Sequence, residues 1–84
     1  MNNEQAANEQ STFELILHQA EKGNRVLAEG LFEELDEDAK DNLRIWIVQI
    51  YAVRNDWPEE TLQAIQWLSN IAELWYMMNY YNNL

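Results

Sequence analysis

The sequence predicts an all-α protein, a small bundle of three or four helices that ends in a helical hairpin. Three observations carry that reading. Apolar residues recur at helical spacing from Phe13 onward. Helix-stop and helix-start signals punctuate the chain at Gly23-Asn24, at Asp36 to Asp38 and at Pro58. The one stretch rich in strand formers, Ile45 to Tyr51, is alone in the chain, and a lone strand has no ladder partner for its amides.

Residues 1–10 carry Asn, Gln, Glu and Ala without an apolar stripe, and they read as a disordered N-terminal tail. Residues 11–84 then form a single helical domain, as one short chain allows. Ser11 and Glu14 have the spacing of a capping box and place the first helix start. Phe13, Ile16, Leu17 and Ala20 follow as its apolar stripe. Gly23 and Asn24 both tolerate a left-handed backbone, which suits a helix stop. Another stripe resumes with Leu27, Leu31 and Leu35. The row Phe13, Ile16, Ala20, Asn24, Leu27, Leu31, Leu35 keeps helical phase through Gly23, so one kinked helix over 12–35 and two separate helices both fit.

The run Asp36 to Asp38 puts carboxylates where the positive end of a helix dipole favours them. The helix that follows runs to about Arg54, with a core row of Leu43, Trp46 or Ile47, Ile50 and Val53. Pro58 pushes Trp57 out of the helical region and suits the first turn of the last helix, which Glu59 and Glu60 also favour. Neither Gly nor a further Pro occurs from there to Leu84, so this helix can reach ~40 Å at ~1.5 Å per residue. Its end, 82–84, is expected to fray. Helices near 38–54 and 58–81 make an antiparallel hairpin, and the N-terminal helical segment packs across them.

The last helix changes character along its length. Ala64, Trp67 or Leu68, Ile71, Trp75 and Met78 form a core stripe. The row Gln66, Asn70, Glu73, Met77, Tyr80 begins polar and ends apolar. A helix that is apolar nearly all round at its end is buried centrally or docks on another chain.

Charge is as uneven as hydropathy. The first 42 residues carry 11 Asp/Glu against 3 Lys/Arg, while the last 42 carry 4 against 2 and hold all four Trp and all four Tyr. Five scattered bases in a chain of net charge −10 argue against direct nucleic-acid binding and against an acidic membrane surface. A basic protein surface is the natural electrostatic partner. Two candidate sites follow. The acidic face comprises Glu29, Glu33, Glu34, Asp36, Glu37, Asp38 and Asp41, interrupted only by Lys40. Carboxylates three or four residues apart on a helix lie ~5–6 Å from one another. That is the order of spacing needed to imitate a row of backbone phosphates, one per ~3.4 Å on each strand. The aromatic end comprises Tyr76, Met77, Tyr80 and Tyr81, residue types enriched at interfaces. Trp67 and Trp75 are assigned to the core.

Nothing in the pattern points to catalysis. The chain has no Cys and a single histidine, His18. An EF-hand loop counted from Asp36 would need Gly at its sixth place and Glu at its twelfth, where Asp41 and Ile47 stand. The hydroxyls Ser11, Thr12, Thr61 and Ser69 lie in no nucleophile motif. No metal, no cofactor and no enzymatic activity are therefore expected. Lack of Cys and of signal-peptide features predicts a cytoplasmic protein. The expected role is a non-catalytic inhibitor that occupies a basic, nucleic-acid-binding surface of its target. It resembles in character the small acidic phage inhibitors that act as DNA mimics or anti-CRISPR proteins. The alternative is a helical subunit or chaperone-like adaptor that holds a partner helix with its apolar C-terminal end. The same end also suits a homodimer.

Overall fold

A computed structural model describes the backbone of residues 2–82 and the side chains of residues 8–81. Four helices and no strand occur among them: α1, Asn2–Glu21; α2, Arg25–Glu33; α3, Glu37–Val53; and α4, Glu59–Asn82. The small all-α bundle and its C-terminal hairpin stand as the sequence predicts.

Helix α1 does not start at Ser11. Its backbone is helical from Asn2, so Ser11 lies inside the helix, exposed, and caps nothing. The physical reason is that 4–10 are Glu, Gln, Ala and Asn residues, most of them good helix formers. Extending a helix already nucleated at Phe13–Ala20 adds one hydrogen bond per residue fixed and needs no second nucleation. Thr12 Oγ1 donates to the Asn8 carbonyl at 2.9 Å, and Asn42 Nδ2 of α3 donates to Glu9 Oε1 at 2.8 Å. Met1, with Asn83 and Leu84 of the end expected to fray, lies outside the described residues.

The chain breaks at Gly23, so 12–35 makes two helices. Gly23 has φ +87°, the left-handed region that glycine adopts without a Cβ penalty. Its N–H donates to the Ala20 carbonyl at 3.1 Å, and that of Asn24 donates to Gln19 at 2.9 Å. This pair of bonds is the Schellman motif, which satisfies the last carbonyls of α1. Asn24 Nδ2 also donates to Gln19 Oε1 at 2.9 Å, tying the turn to the helix it leaves.

Asp36 caps α3: its Oδ1 accepts from the Ala39 N–H at 2.8 Å, with Glu37 and Asp38 in the first turn. The Pro58 carbonyl accepts the first bond of α4, from the Leu62 N–H at 2.8 Å.

Cross-helix pairs give the polarity. Arg44 reaches Glu73, and Tyr51 lies beside Ile65, so α3 and α4 are antiparallel. Glu21, at the end of α1, accepts from Thr61 Oγ1, near the start of α4, at 3.1 Å. Phe13 packs on Trp46 with ring centroids 5.6 Å apart, so α1 runs with α3. Helix α2 follows the direction of α4, with Arg25 over Trp67 and Phe32 against Trp75.

The core holds Phe13, Ile16, Leu17, Ala20, Ala28, Phe32, Leu43, Ile47, Ala64, Ile65, Leu68 and Ala72. Where the pattern left a choice, Ile47 is buried and Trp46 half-buried, and Leu68 is buried and Trp67 half-buried. Trp46, Trp67 and Trp75 pack on the margin of the core. Three expected core residues are not in it. Leu27 is 51% exposed, because α2 turns Ala28 and Phe32 inward instead, with Leu31 and Leu35 packed beside them. Val53 is exposed at the end of α3, and Trp57 from the following loop packs on the core there. Met78 is exposed because α2 ends beside Trp75 and covers nothing farther along α4. No helix among the described residues is long and apolar enough to cross a membrane.

Candidate functional site

The two candidate sites, separate in sequence, lie together in the fold. The acidic face is built from the end of α2 (Glu29, Glu33), the connecting turn (Glu34, Asp36) and the first turns of α3 (Glu37, Asp38, Asp41). Because α3 and α4 are antiparallel, the beginning of α3 lies beside the end of α4. Glu37, Asp38 and Asp41 therefore form one wall of a groove of about 280 Å³ whose other wall is Trp75, Tyr76 and Tyr80. On the opposite side of α4, Glu29 and Glu33 border a second groove of about 410 Å³ floored by Ile71, Leu74, Trp75 and Met78. The end of α4 is thus an apolar ridge between two acidic walls.

The ridge is open to solvent: Met77 is 48% exposed, Tyr80 55% and Tyr81 64%. Leu74 and Met78, at 61% and 65%, belong to it as well, although the sequence pattern placed Met78 in the core stripe and left Leu74 unassigned. The missing signal was the length of α2. That helix has nine residues against the 24 of α4, so it leaves its side of the α4 end uncovered. The rings are mutually ordered. Tyr76 and Tyr80 lie nearly parallel with centroids 6.4 Å apart, and Tyr81 meets Tyr80 edge-on at 5.6 Å.

The carboxylates divide into engaged and free. Asp36 is spent on its cap. Asp41 accepts two hydrogen bonds from Arg44, at 2.9 and 3.0 Å. The hydrogen bond to Asp41 is the largest effect holding the Arg44 guanidinium above its ordinary pKa, so it stays charged. Glu33 pairs with Lys40 at 3.8 Å. Glu29, Glu34, Glu37 and Asp38 are exposed and make neither an ion pair nor a side-chain hydrogen bond among the described residues. Lys40, which interrupts the acidic run in sequence, does not interrupt it on the surface. Its side chain is only 13% exposed, with Nζ 5.7 Å from the Phe32 ring centroid and 5.8 Å from that of Trp75. The outer face therefore stays negative. The last turn of α4 carries no basic residue to offset these carboxylates.

His18 is exposed on α1, near Glu14, Trp46 and Trp57. No group of three or more His, Asp or Glu is placed to hold a metal ion among the described residues. No family model, no curated protein and no solved structure matches this chain.

Proposed function

We propose that this protein is a non-catalytic binding protein that occupies a basic, nucleic-acid-binding surface of a target protein and so excludes the nucleic acid. The supporting observation is the convergence of four uncommitted carboxylates and an exposed aromatic ridge on one end of the bundle. Each half suits a different part of an interface. Carboxylates steer a basic partner and set the register, while buried aromatic and Met side chains supply most of the affinity. A symmetric homodimer through the same ridge is disfavoured. It would set the free carboxylates of one copy against those of another, each chain carrying net charge −10. In its particulars the reading is an inhibitor of the DNA-mimic or anti-CRISPR kind, acting in the cytoplasm.

The test is capture from host lysate with the parent chain and with a variant carrying Glu33→Lys, Glu34→Lys, Glu37→Lys and Asp38→Lys. The parent is expected to retain a nucleic-acid-binding protein that excess duplex DNA or rising salt releases, and the variant to retain none. Capture that ignores salt, DNA and charge reversal alike refutes the reading. Such an outcome favours the adaptor reading, which rests on the groove floored by Ile71, Leu74 and Met78. That floor suits the apolar stripe of a partner helix, and apolar docking hardly responds to salt.

A further inference from the structure

The α3–α4 groove contains a worked example of how it recognises a cation. Arg44 lays its guanidinium over the Tyr76 ring, 4.1 Å from the centroid, while Asp41 accepts from its Nε and one terminal nitrogen and Glu73 lies 3.5 Å from the other. A planar cation on a tyrosine face, held at its edge by carboxylates, is the arrangement in which a guanidinium gains most over an ammonium.

One helical turn outward, a similar arrangement recurs without a cation from this chain, its carboxylates Glu37 and Asp38 both on α3 and Met77 standing where Glu73 stands in the inner cell. Stepping back three and four residues on α3 takes Asp41 to Asp38 and Glu37. Stepping forward four residues on α4 takes Tyr76 to Tyr80. The helices are antiparallel, so both steps move in the same direction along the groove, and these residues do line one groove. Tyr80 is nearly parallel to Tyr76 and more exposed. The residue that would match Arg44 one turn earlier is Lys40, and it lies over the Phe32 and Trp75 rings and pairs with Glu33 instead.

The geometry points to an arginine side chain of the partner as the occupant of this outer cell, stacked on Tyr80 and held at its edge by Glu37 and Asp38. This rests on the proposed function and narrows it: the basic surface is recognised through arginine in particular, not through positive charge alone. Charge complementarity selects the occupant, since a second copy of this acidic end brings no free cation to the groove.

The experiment titrates the labelled chain with octa-arginine and with octa-lysine, following backbone amide resonances. Octa-arginine is expected to bind about two- to fivefold more tightly, the range of an exposed cation–π contact, with the largest shifts at Glu37, Asp38 and Tyr80. Tyr80→Ser is expected to erase that preference while leaving octa-lysine binding in place, and Tyr80→Phe to keep it. Both variants keep the fold, since the ring is more than half exposed, and their circular dichroism checks this. Equal binding of the two peptides at the acidic residues, or a preference that survives Tyr80→Ser, overturns the arginine inference and leaves the acidic-face reading intact. Absence of binding by either peptide at this end overturns both.

Discussion

The two glycines make opposite predictions, and the sign of one of them tests the topology. Gly23 sits at φ +87° in the Schellman turn, and a Cβ there would meet nothing within 4 Å. The cost of Gly23→Ala is therefore conformational rather than steric. A left-handed alanine costs about 1–2 kcal/mol. Fewer accessible states in the unfolded chain return about 0.4–1 kcal/mol of this. The net expectation is a loss of about 1 kcal/mol, or a fall in melting temperature of about 4–8 °C for a domain of this size. Gly30 lies inside α2, also with nothing within 4 Å of a built Cβ. Gly30→Ala therefore gains about 0.5–1 kcal/mol from helix propensity. Thermal and urea melts followed by circular dichroism should place the two variants on opposite sides of the parent. If 12–35 were one continuous helix, residue 23 would be a helix interior and Gly23→Ala would stabilise just as Gly30→Ala does. A rise in melting temperature for Gly23→Ala thus refutes the two-helix topology and the reasoning built on its turn.

Three further outcomes are expected. Phe32→Ala, at a fully buried site, should cost about 3–5 kcal/mol, a large part of the stability of a small domain, whereas Leu27→Ala should cost under about 1 kcal/mol; equal urea midpoints for the two would mean α2 is rotated. Asp36→Ala should lose about 1 kcal/mol of stability and Asp36→Asn much less, since Asn also caps; a loss of equal size in both would mean charge, not the cap, matters at this position. The hydrogen bond from Arg54 Nε at 3.0 Å lowers the Asp56 pKa below its ordinary value. Its folded pKa lies below its unfolded one, so the pair stabilises the α3–α4 loop above the usual carboxylate range and loses that contribution as pH falls through the folded value. Asp56→Asn should remove this part of the acid dependence, and a stability-versus-pH curve unchanged from the parent would contradict it.

What the sequence determined by itself is the pair of helix boundaries at Asp36 and Pro58, which act on backbone groups within a few residues, through a side-chain cap and a fixed φ, so their effects are written locally. At Gly23 the sequence left one kinked helix or two, and the left-handed turn of the folded chain decided for two. The beginning of α1 was not legible because a polar helix and a polar tail share a composition. A cross-helix contact, Asn42 to Glu9, accompanies the helix there. The inward face of α2 was not legible either. Leu27 and Leu31 compete with Ala28 and Phe32 as an apolar stripe on a nine-residue helix, and packing against Trp75 decides between them. The same kind of choice sends Ile47 and Leu68 to the centre and the larger Trp46 and Trp67 to the margin.

The candidate site shows the division most sharply. Each half was visible as composition, an acidic run and an apolar helix end. The hairpin predicted over 38–54 and 58–81 already brings residue 38 near residue 80, but it leaves open which faces of the two helices meet. The tertiary structure decided it through the antiparallel register of α3 on α4. That register sets the first turn of one helix against the last turn of the other, and the short α2 leaves both open to solvent.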